Sequence, residues 1–189
     1  MKRLDLVVGP NGAGKSTFVA FTLAPLLPLS PFVNADEIAR QRWPDDAEAH
    51  SYDAARVAAA TRSSLITSGR SFIAETVFSH PSKLDLIAEA QAAGYTVVLH
   101  VLSVPEDLAV QRVRHRVAAG GHTVAEEKIR QRHRRLWALV VRGIEMCDSA
   151  TVYDNSRRTG PRIVARFAGG DVIGSPTWPE WMSAAVTTR

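Results

Sequence analysis

The eight residues Gly9-Pro10-Asn11-Gly12-Ala13-Gly14-Lys15-Ser16 have the form G-x-x-x-x-G-K-S, the residue types and spacing of a phosphate-binding loop. Its glycines let the backbone bend so that successive N–H groups point inward at an anion. A helix opening directly out of the loop adds the partial positive charge of its N-terminus. Lys15 then reaches the β- and γ-phosphates of a nucleoside triphosphate, and the Ser16 hydroxyl sits on Mg²⁺. The expected cofactors are ATP and Mg²⁺, with Asn11, Gly12, Ala13, Gly14, Lys15, Ser16 and Thr17 as the nucleotide-binding run.

Two carboxylates follow. Asp36 closes an apolar run, Pro31 to Asp36, and is a candidate general base, because transfer of a phosphoryl group to a hydroxyl needs a carboxylate to orient the acceptor and take its proton. The competing role is a helix cap, and the two are compatible. Glu75, followed by Thr76, ends the run Ser71-Phe72-Ile73-Ala74. A glutamate desolvated there needs a cation, a metal shell or a donor. It can serve Mg²⁺-bound water or a substrate hydroxyl, or make a structural pair with an arginine.

The third constellation is basic. Arg112, Arg114, Arg116, Lys128, Arg130, Arg132, Arg134, Arg135 and Arg142 stand against only Glu126 and Glu127. Arg112 and Arg116 share a helix face, as do Arg130 and Arg134. With Gly120-Gly121-His122 as a hinge between two helices, the segment reads as a lid whose arginines neutralise charge on a transferred phosphoryl group. The alternative is a solvated basic face. Tyr153-Asp154-Asn155-Ser156 is placed to flank the nucleotide base. The histidines lack metal-ligand spacing, and Cys147 lacks an activating partner.

The elements that must position these residues alternate. Strands are expected at 4–8, 31–36, 71–76, 96–102, 150–153 and 162–167. Helices are expected at 17–26, 37–68 with a break near Trp43-Pro44 and a cap at Asp45 or Asp46, then 81–93, 105–119, 124–146 and 178–186, where Trp178 and Trp181 pin the last helix to the core. Such alternation predicts a parallel sheet covered on both faces, with function collected at the carboxyl ends of its strands. The chain of 189 residues is 46% hydrophobic and 22% charged, the balance of one ordinary globular domain. One cysteine excludes an internal disulfide. The absence of a long apolar run or signal-peptide pattern leads to the expectation of a cytoplasmic protein without membrane contact. A formal charge of +4 suits acidic partners.

Gly9 to Ser16, Asn34-Ala35-Asp36, Glu75-Thr76, Arg112-Val113 with Arg116-Val117, Gly120-Gly121-His122-Thr123-Val124 and Asp154-Asn155-Ser156 occur in the order found in zeta toxin-like P-loop kinases, and the chain resembles the short bacterial members of that family. The resemblance implies ATP-dependent phosphorylation of the 3′-hydroxyl of UDP-N-acetylglucosamine. It also implies a toxin-antitoxin setting in which a small helical antitoxin obstructs the ATP site. By motif, Lys15, Asp36, Arg116 and either Arg130 or Arg134 (Arg134 being the assignment taken forward) carry catalysis. Arg112 and Asn155 join the loop in binding ATP, while Asp36, Glu75 and Thr76 bind the substrate. Val77 stands where short homologues have a second Thr, and Ala125 where they have Pro.

The fold expected is a three-layer α/β sandwich of P-loop kinase type. Its mostly parallel five-stranded sheet has the order 2-3-1-4-5, and residues 1–189 form one domain with a lid at about 105–145. Rival readings are a kinase of another small metabolite, a polynucleotide 5′-kinase, and a nucleotide-gated binding module. The basic helices lack the interleaved aromatics that stack bases, which argues against nucleic acid as partner.

Overall fold

Leu4, Leu6 and Val8 point to one face of the first strand, β1 (Arg3–Val8), and Val7 to the other, and all four are fully buried. A strand apolar on both sides belongs at the centre of a parallel sheet. The computed structural model, which describes residues 2–118 and 124–188, puts it there. β1 lies between β3 (Phe72–Thr76) and β4 (Thr96–Ser103), with β2 (Phe32–Val33) beyond β3 and β5 (Ser149–Asp154) beyond β4. All these pairs are parallel, in the expected order 2-3-1-4-5.

The sheet has seven strands rather than five. β6 (Arg162–Ala168) pairs antiparallel with β5, and β7 (Asp171–Ile173) antiparallel with β6. The connection 155–161 is too short for the crossover a parallel neighbour needs, so the chain turns back on itself. Gly169 and Gly170, at φ 54° and 89°, then form the reversal into β7.

Helices cover both faces. α1 (Lys15–Phe18) leaves the phosphate loop and continues as a π-helical turn, Val19–Leu23, in place of one regular helix over 17–26. Phe18, Val19 and Leu23 pack with Val7, Ile73 and Leu102 on one face of the sheet. On the opposite face the larger core joins α3 (Ser51–Thr67), α4 (Ser82–Ala92) and α6 (Glu126–Met146) through Leu65, Ile87, Leu136 and Ile144. α2 (Ala35–Arg42) precedes α3, and α5 (Glu106–Ala118) packs on α6 through Val110, Val113 and Ile129.

Three boundaries differ from the sequence reading. α3 starts at Ser51, with neither Asp45 nor Asp46 as its cap; Asp46 instead accepts a bond from the Ala49 N–H at 3.4 Å in the preceding turn. The last helix, α7 (Ala184–Thr187), is a single turn. Trp178 and Trp181 nevertheless pack against the main core, Trp178 with its ring 6.5 Å from that of Phe167. The strand before Asp36 is only two residues long, so Asp36 lies in the first turn of α2. The hinge residues Gly120-Gly121-His122 lie outside the described residues. Among the described residues no helix is long and apolar enough to cross a membrane.

Candidate active site

The phosphate loop sits where β1 ends, and its backbone is pressed against the elements behind it. Gly12 has φ 77°, and a Cβ there would stand 2.6 Å from the Ala109 carbonyl oxygen of α5. Gly9, at φ 149°, would meet the Leu102 carbonyl oxygen at 2.1 Å. Only glycine fits either position, on grounds of both conformation and space. Donors from outside hold the loop's carbonyls. The Asn155 side-chain amide donates to Ala13 O at 2.8 Å, and Arg112 Nη1 to Gly12 O at 3.4 Å. Sequence order had paired these two residues with the nucleotide; the fold sets both against the loop that would cradle it. Asn11 Oδ1 is buried with no hydrogen-bond partner among the described residues, and Thr17 is exposed.

Because β2, β3 and β1 are parallel neighbours, with Val7 beside Glu75 and Val33 beside Ala74, their carboxyl ends open into one crevice. Glu75 is its centre. Ser16 Oγ donates to Glu75 Oε2 at 2.8 Å, Asn34 Nδ2 donates to the same oxygen at 2.7 Å, and Lys15 Nζ lies 3.8 Å from Oε1. The partner of this carboxylate is thus the loop lysine rather than an arginine. Asn34 makes a second connection. Its Oδ1 caps α2 by accepting from the N–H groups of Asp36 at 2.7 Å and Glu37 at 3.3 Å. One side chain therefore ties the helix bearing Asp36 to the strand bearing Glu75. Thr76 Oγ1 is turned back, accepting from the Phe78 N–H at 3.5 Å.

Lys15 is buried, and its ammonium also donates to Pro10 O at 3.0 Å. Burial holds its pKa below the ordinary lysine value; Glu75 and then Asp36 oppose that shift, while Arg116 and Arg132 reinforce it. All four charges are therefore felt at the Lys15 ammonium. Glu37 is pushed up by burial, helped by the neighbouring Glu75 charge against the counteracting Arg40.

The basic helices divide sharply. Arg130 fastens α6 to the start of α5, with Nη1 2.9 Å from Glu106 and 2.8 Å from Asp107, and Nη2 2.9 Å from Glu126. Arg134 is exposed and pairs with Glu127 at 3.4 Å. Arg132, two residues from each, lies across the helix from both, since two residues turn an α-helix by about 200°. Of these three α6 arginines, it is Arg132 whose charge is felt at Lys15. Sequence reasoning missed it, because one arginine in a basic helix looks like the next. Asn34 was visible only as the first residue of the Asn-x-Asp motif, without a role of its own.

Three polar groups lie apart from the crevice. His100 Nε2 is 2.9 Å from the buried Asp5 and its Nδ1 3.4 Å from the Tyr153 hydroxyl, and the Tyr153 ring packs 4.9 Å from that of Phe18 in the helix leaving the loop. His133 Nε2 donates to Val104 O at 3.0 Å. Cys147 is buried, and burial pushes its thiol up to about 12. Among the described residues no three His, Cys, Asp or Glu side chains group to hold a metal. The hard-oxygen pair Ser16 Oγ and Glu75 Oε2 fits Mg²⁺ that is held mainly by phosphates and water.

Comparison with known proteins bears on the family and the fold. The AAA domain family (AAA_33) matches residues 4–139. An uncharacterized protein of Haemophilus influenzae is 28% identical over 126 residues, 66% of this chain and 88% of that one. Among solved structures, the fold is similar to a chain of the AvrRxo1-ORF1:AvrRxo1-ORF2 complex with ATP, with a TM-score of 0.66 and 15% identity. That match covers 92% of this chain but only 60% of the other, so this chain spans less than two thirds of its length. A chain of the PezAT chromosomal toxin-antitoxin system of Streptococcus pneumoniae is similar at TM-score 0.65 and 13% identity, over 87% of this chain and 72% of that one.

Proposed function

This chain belongs to the AAA domain family, and from that premise we propose that it is an ATP-dependent phosphotransferase acting on a hydroxyl of a small molecule. The observation that carries the reading is the convergence of Lys15, Ser16 and Asn34 on Glu75, with Asp36 on the helix that Asn34 caps. A binding loop alone needs no second carboxylate beside its lysine. A phosphoryl-transfer site needs one for the metal shell and one for the acceptor.

In this mechanism Lys15 leaves Pro10 O for the β- and γ-phosphates, compensating a charge that is costly to bury unpaired. Ser16 and Glu75 would hold Mg²⁺, which would neutralise phosphate charge when bound. Asp36, exposed at the start of α2, orients the acceptor hydroxyl and accepts its proton as the bond to the γ-phosphorus forms and the bond from that phosphorus to the bridging β-phosphate oxygen breaks, releasing ADP. Arg116 and Arg132, whose charges are felt at Lys15, take the role expected of Arg116 and Arg134 and stabilise the developing charge on the transferred group. Arg130 holds the lid helices together. Residues 1–189 act as one domain, with 105–145 as the lid.

The acceptor we propose is a sugar nucleotide, UDP-N-acetylglucosamine at its 3′-hydroxyl, in a cytoplasmic toxin restrained by an antitoxin. The resemblance in motif order supports this, as does the shared fold with a chain of a toxin-antitoxin system. Mass spectrometry of the protein with ATP, Mg²⁺ and a panel of sugar nucleotides tests it, with Lys15→Ala as control. One added phosphate on UDP-N-acetylglucosamine, absent in the control, is the expected result. Transfer to another panel member leaves the reaction standing and replaces the acceptor. No transfer to any acceptor, with ATP bound, overturns the reading. Asp36→Ala is expected to lower turnover by roughly 10²–10⁴ with ATP affinity little changed; unaltered turnover removes Asp36 from its role.

A further inference from the structure

The sheet ends on β7, and among the described residues no strand lies beyond it. Asp171, Val172 and Ile173 are all exposed, Val172 at 41% and Ile173 at 56%. Two adjacent β-branched apolar residues on a free edge are a template for another strand. Folded proteins blunt such edges with proline, lysine or a bulge, and β7 carries none of these. Its one polar side chain is the carboxylate of Asp171. Only its length of three residues limits how much pairing it can support.

The turn before β7 decides which of its backbone groups are free. Gly169 and Gly170 make a two-residue connection with both φ values positive, the type I′ form. Ala168 and Asp171, which flank it, exchange both of their hydrogen bonds, and the antiparallel pattern then alternates. Phe167 and Val172 are the next, non-bonded pair, so the Val172 N–H and C=O point away from β6 to the open edge. The neighbours in the same phase, Gly170 and Gly174, have φ 89° and 72° and leave the extended conformation. Another strand can therefore bond in extended geometry only at Val172. The register also sorts the side chains. Arg166 lies beside Ile173 and Ala168 beside Asp171, so Arg166, Ile173 and Asp171 share one face of the sheet. Arg166 and Asp171 stand diagonally across the hairpin, both exposed, and neither forms an ion pair among the described residues.

We propose that β7 pairs antiparallel with β7 of a second copy of this chain, about a two-fold axis between the two Val172 residues. Each Val172 N–H donates to the other's carbonyl oxygen, and two seven-stranded sheets join into one. On one face the two Val172 side chains meet beside Phe167, whose ring already lies 6.5 Å from that of Trp178. On the other face Ile173 lies opposite Asp171 of the second copy. Arg166, one strand further in, reaches that carboxylate with its stem laid over Ile173. The two-fold axis makes this ion pair twice. The choice of occupant rests on that self-complementarity. The one register open to the free backbone groups is also the one that brings each Arg166 to an Asp171. Two backbone bonds and a small apolar contact fall below the area of a permanent interface, so the dimer is weak and depends on concentration. The phosphate crevice lies at β1, β2 and β3, away from this edge, and stays open in both copies. The pairing does not depend on the phosphotransferase reading.

Analytical ultracentrifugation of the full chain over about a hundred-fold range of concentration tests the pairing. Wild-type protein is expected to pass from monomer to dimer as concentration rises, with the dimer weaker at high salt. Asp171→Arg sets two guanidinium groups against each other at both ends of the pair and is expected to weaken the dimer about tenfold or more. Arg166→Asp does the same with two carboxylates. The double variant Arg166→Asp, Asp171→Arg rebuilds the ion pair with its signs exchanged and is expected to recover most of the wild-type affinity. Circular dichroism and thermal melts that match wild type show that the variants are folded. A wild-type chain that stays monomeric throughout overturns the proposal. So does a dimer that Asp171→Arg leaves intact, because it then uses another surface, and so does a double variant no better than the two single ones.

Discussion

Replacing Glu75 by Gln keeps the side chain's shape and removes its charge from the point where three donors meet. Lys15 Nζ is 3.8 Å from Glu75 Oε1, and the two side chains are only 7% and 9% exposed. Unit charges about 4 Å apart interact by about 4 kcal/mol at an effective dielectric of about 20. Part of that is retained, because Lys15 keeps its bond to Pro10 O and a glutamine carbonyl still accepts from Ser16 or Asn34. The net loss of stability expected is about 2–3 kcal/mol. Urea denaturation of wild type, Glu75→Gln, Lys15→Met and the double variant should give a coupling energy of about 2 kcal/mol. The pH dependence adds a second readout. A lysine whose pKa is lowered by folding binds fewer protons than in the unfolded chain, so its contribution to stability rises with pH toward the unfolded value. Glu75 is the largest influence opposing that shift, so the variant's Lys15 titrates at still lower pH. Its deficit is therefore greatest near neutrality and narrows as pH climbs toward about 10. A coupling below about 0.5 kcal/mol, or a deficit that widens with rising pH, would refute the pairing.

Gly12→Ala forces a Cβ into a φ of 77° and to within 2.6 Å of the Ala109 carbonyl oxygen, so binding of an ATP analogue by calorimetry is expected to fall at least tenfold, with a stability loss of about 2 kcal/mol. Burial raises the Asp5 pKa, but hydrogen bonds from His100 and Arg3 outweigh it and leave the carboxyl below its ordinary value. Asp5 therefore contributes stability above the unfolded carboxylate pKa of about 3.9 that is lost as pH falls through its folded value. Asp5→Asn should cost about 2 kcal/mol at pH 7, with the gap to wild type closing in thermal melts below pH of about 3. With its thiol pushed up to about 12, Cys147 should resist iodoacetamide in the native protein at pH 8 and react promptly once unfolded, as read by intact mass.

Much of the site was legible because its signals are local. The phosphate loop is eight consecutive residues, and its conformation follows from glycines where a side chain cannot fit. Alternation of apolar runs with helical stretches identified the layers, and the order of the five parallel strands followed from the P-loop kinase reading. Strand ends then pointed to Asp36 and Glu75. Two features escaped because they depend on chain reversal and on distant packing. β6 and β7 turn antiparallel because the connections at 155–161 and Gly169-Gly170 are short. The Glu75 partner depended on three elements closing over one carboxylate, which no spacing of residues 15, 34 and 75 records.

The arginines draw the line most clearly. The sequence by itself determined that two basic helices follow the fourth strand and that arginines outnumber carboxylates there. Which of them lies free of the helix-to-helix ion pairs and within electrostatic reach of Lys15 is visible only in three dimensions. Glu106 and Asp107 at the start of α5 claim Arg130, and Glu127 claims Arg134. The apolar stripe of α6, through Ile129, Leu136, Val140 and Ile144, fixes the helix's rotation on the core. With that rotation set by burial, Arg132, two places from each, lies across the helix from both, and its charge is felt at Lys15.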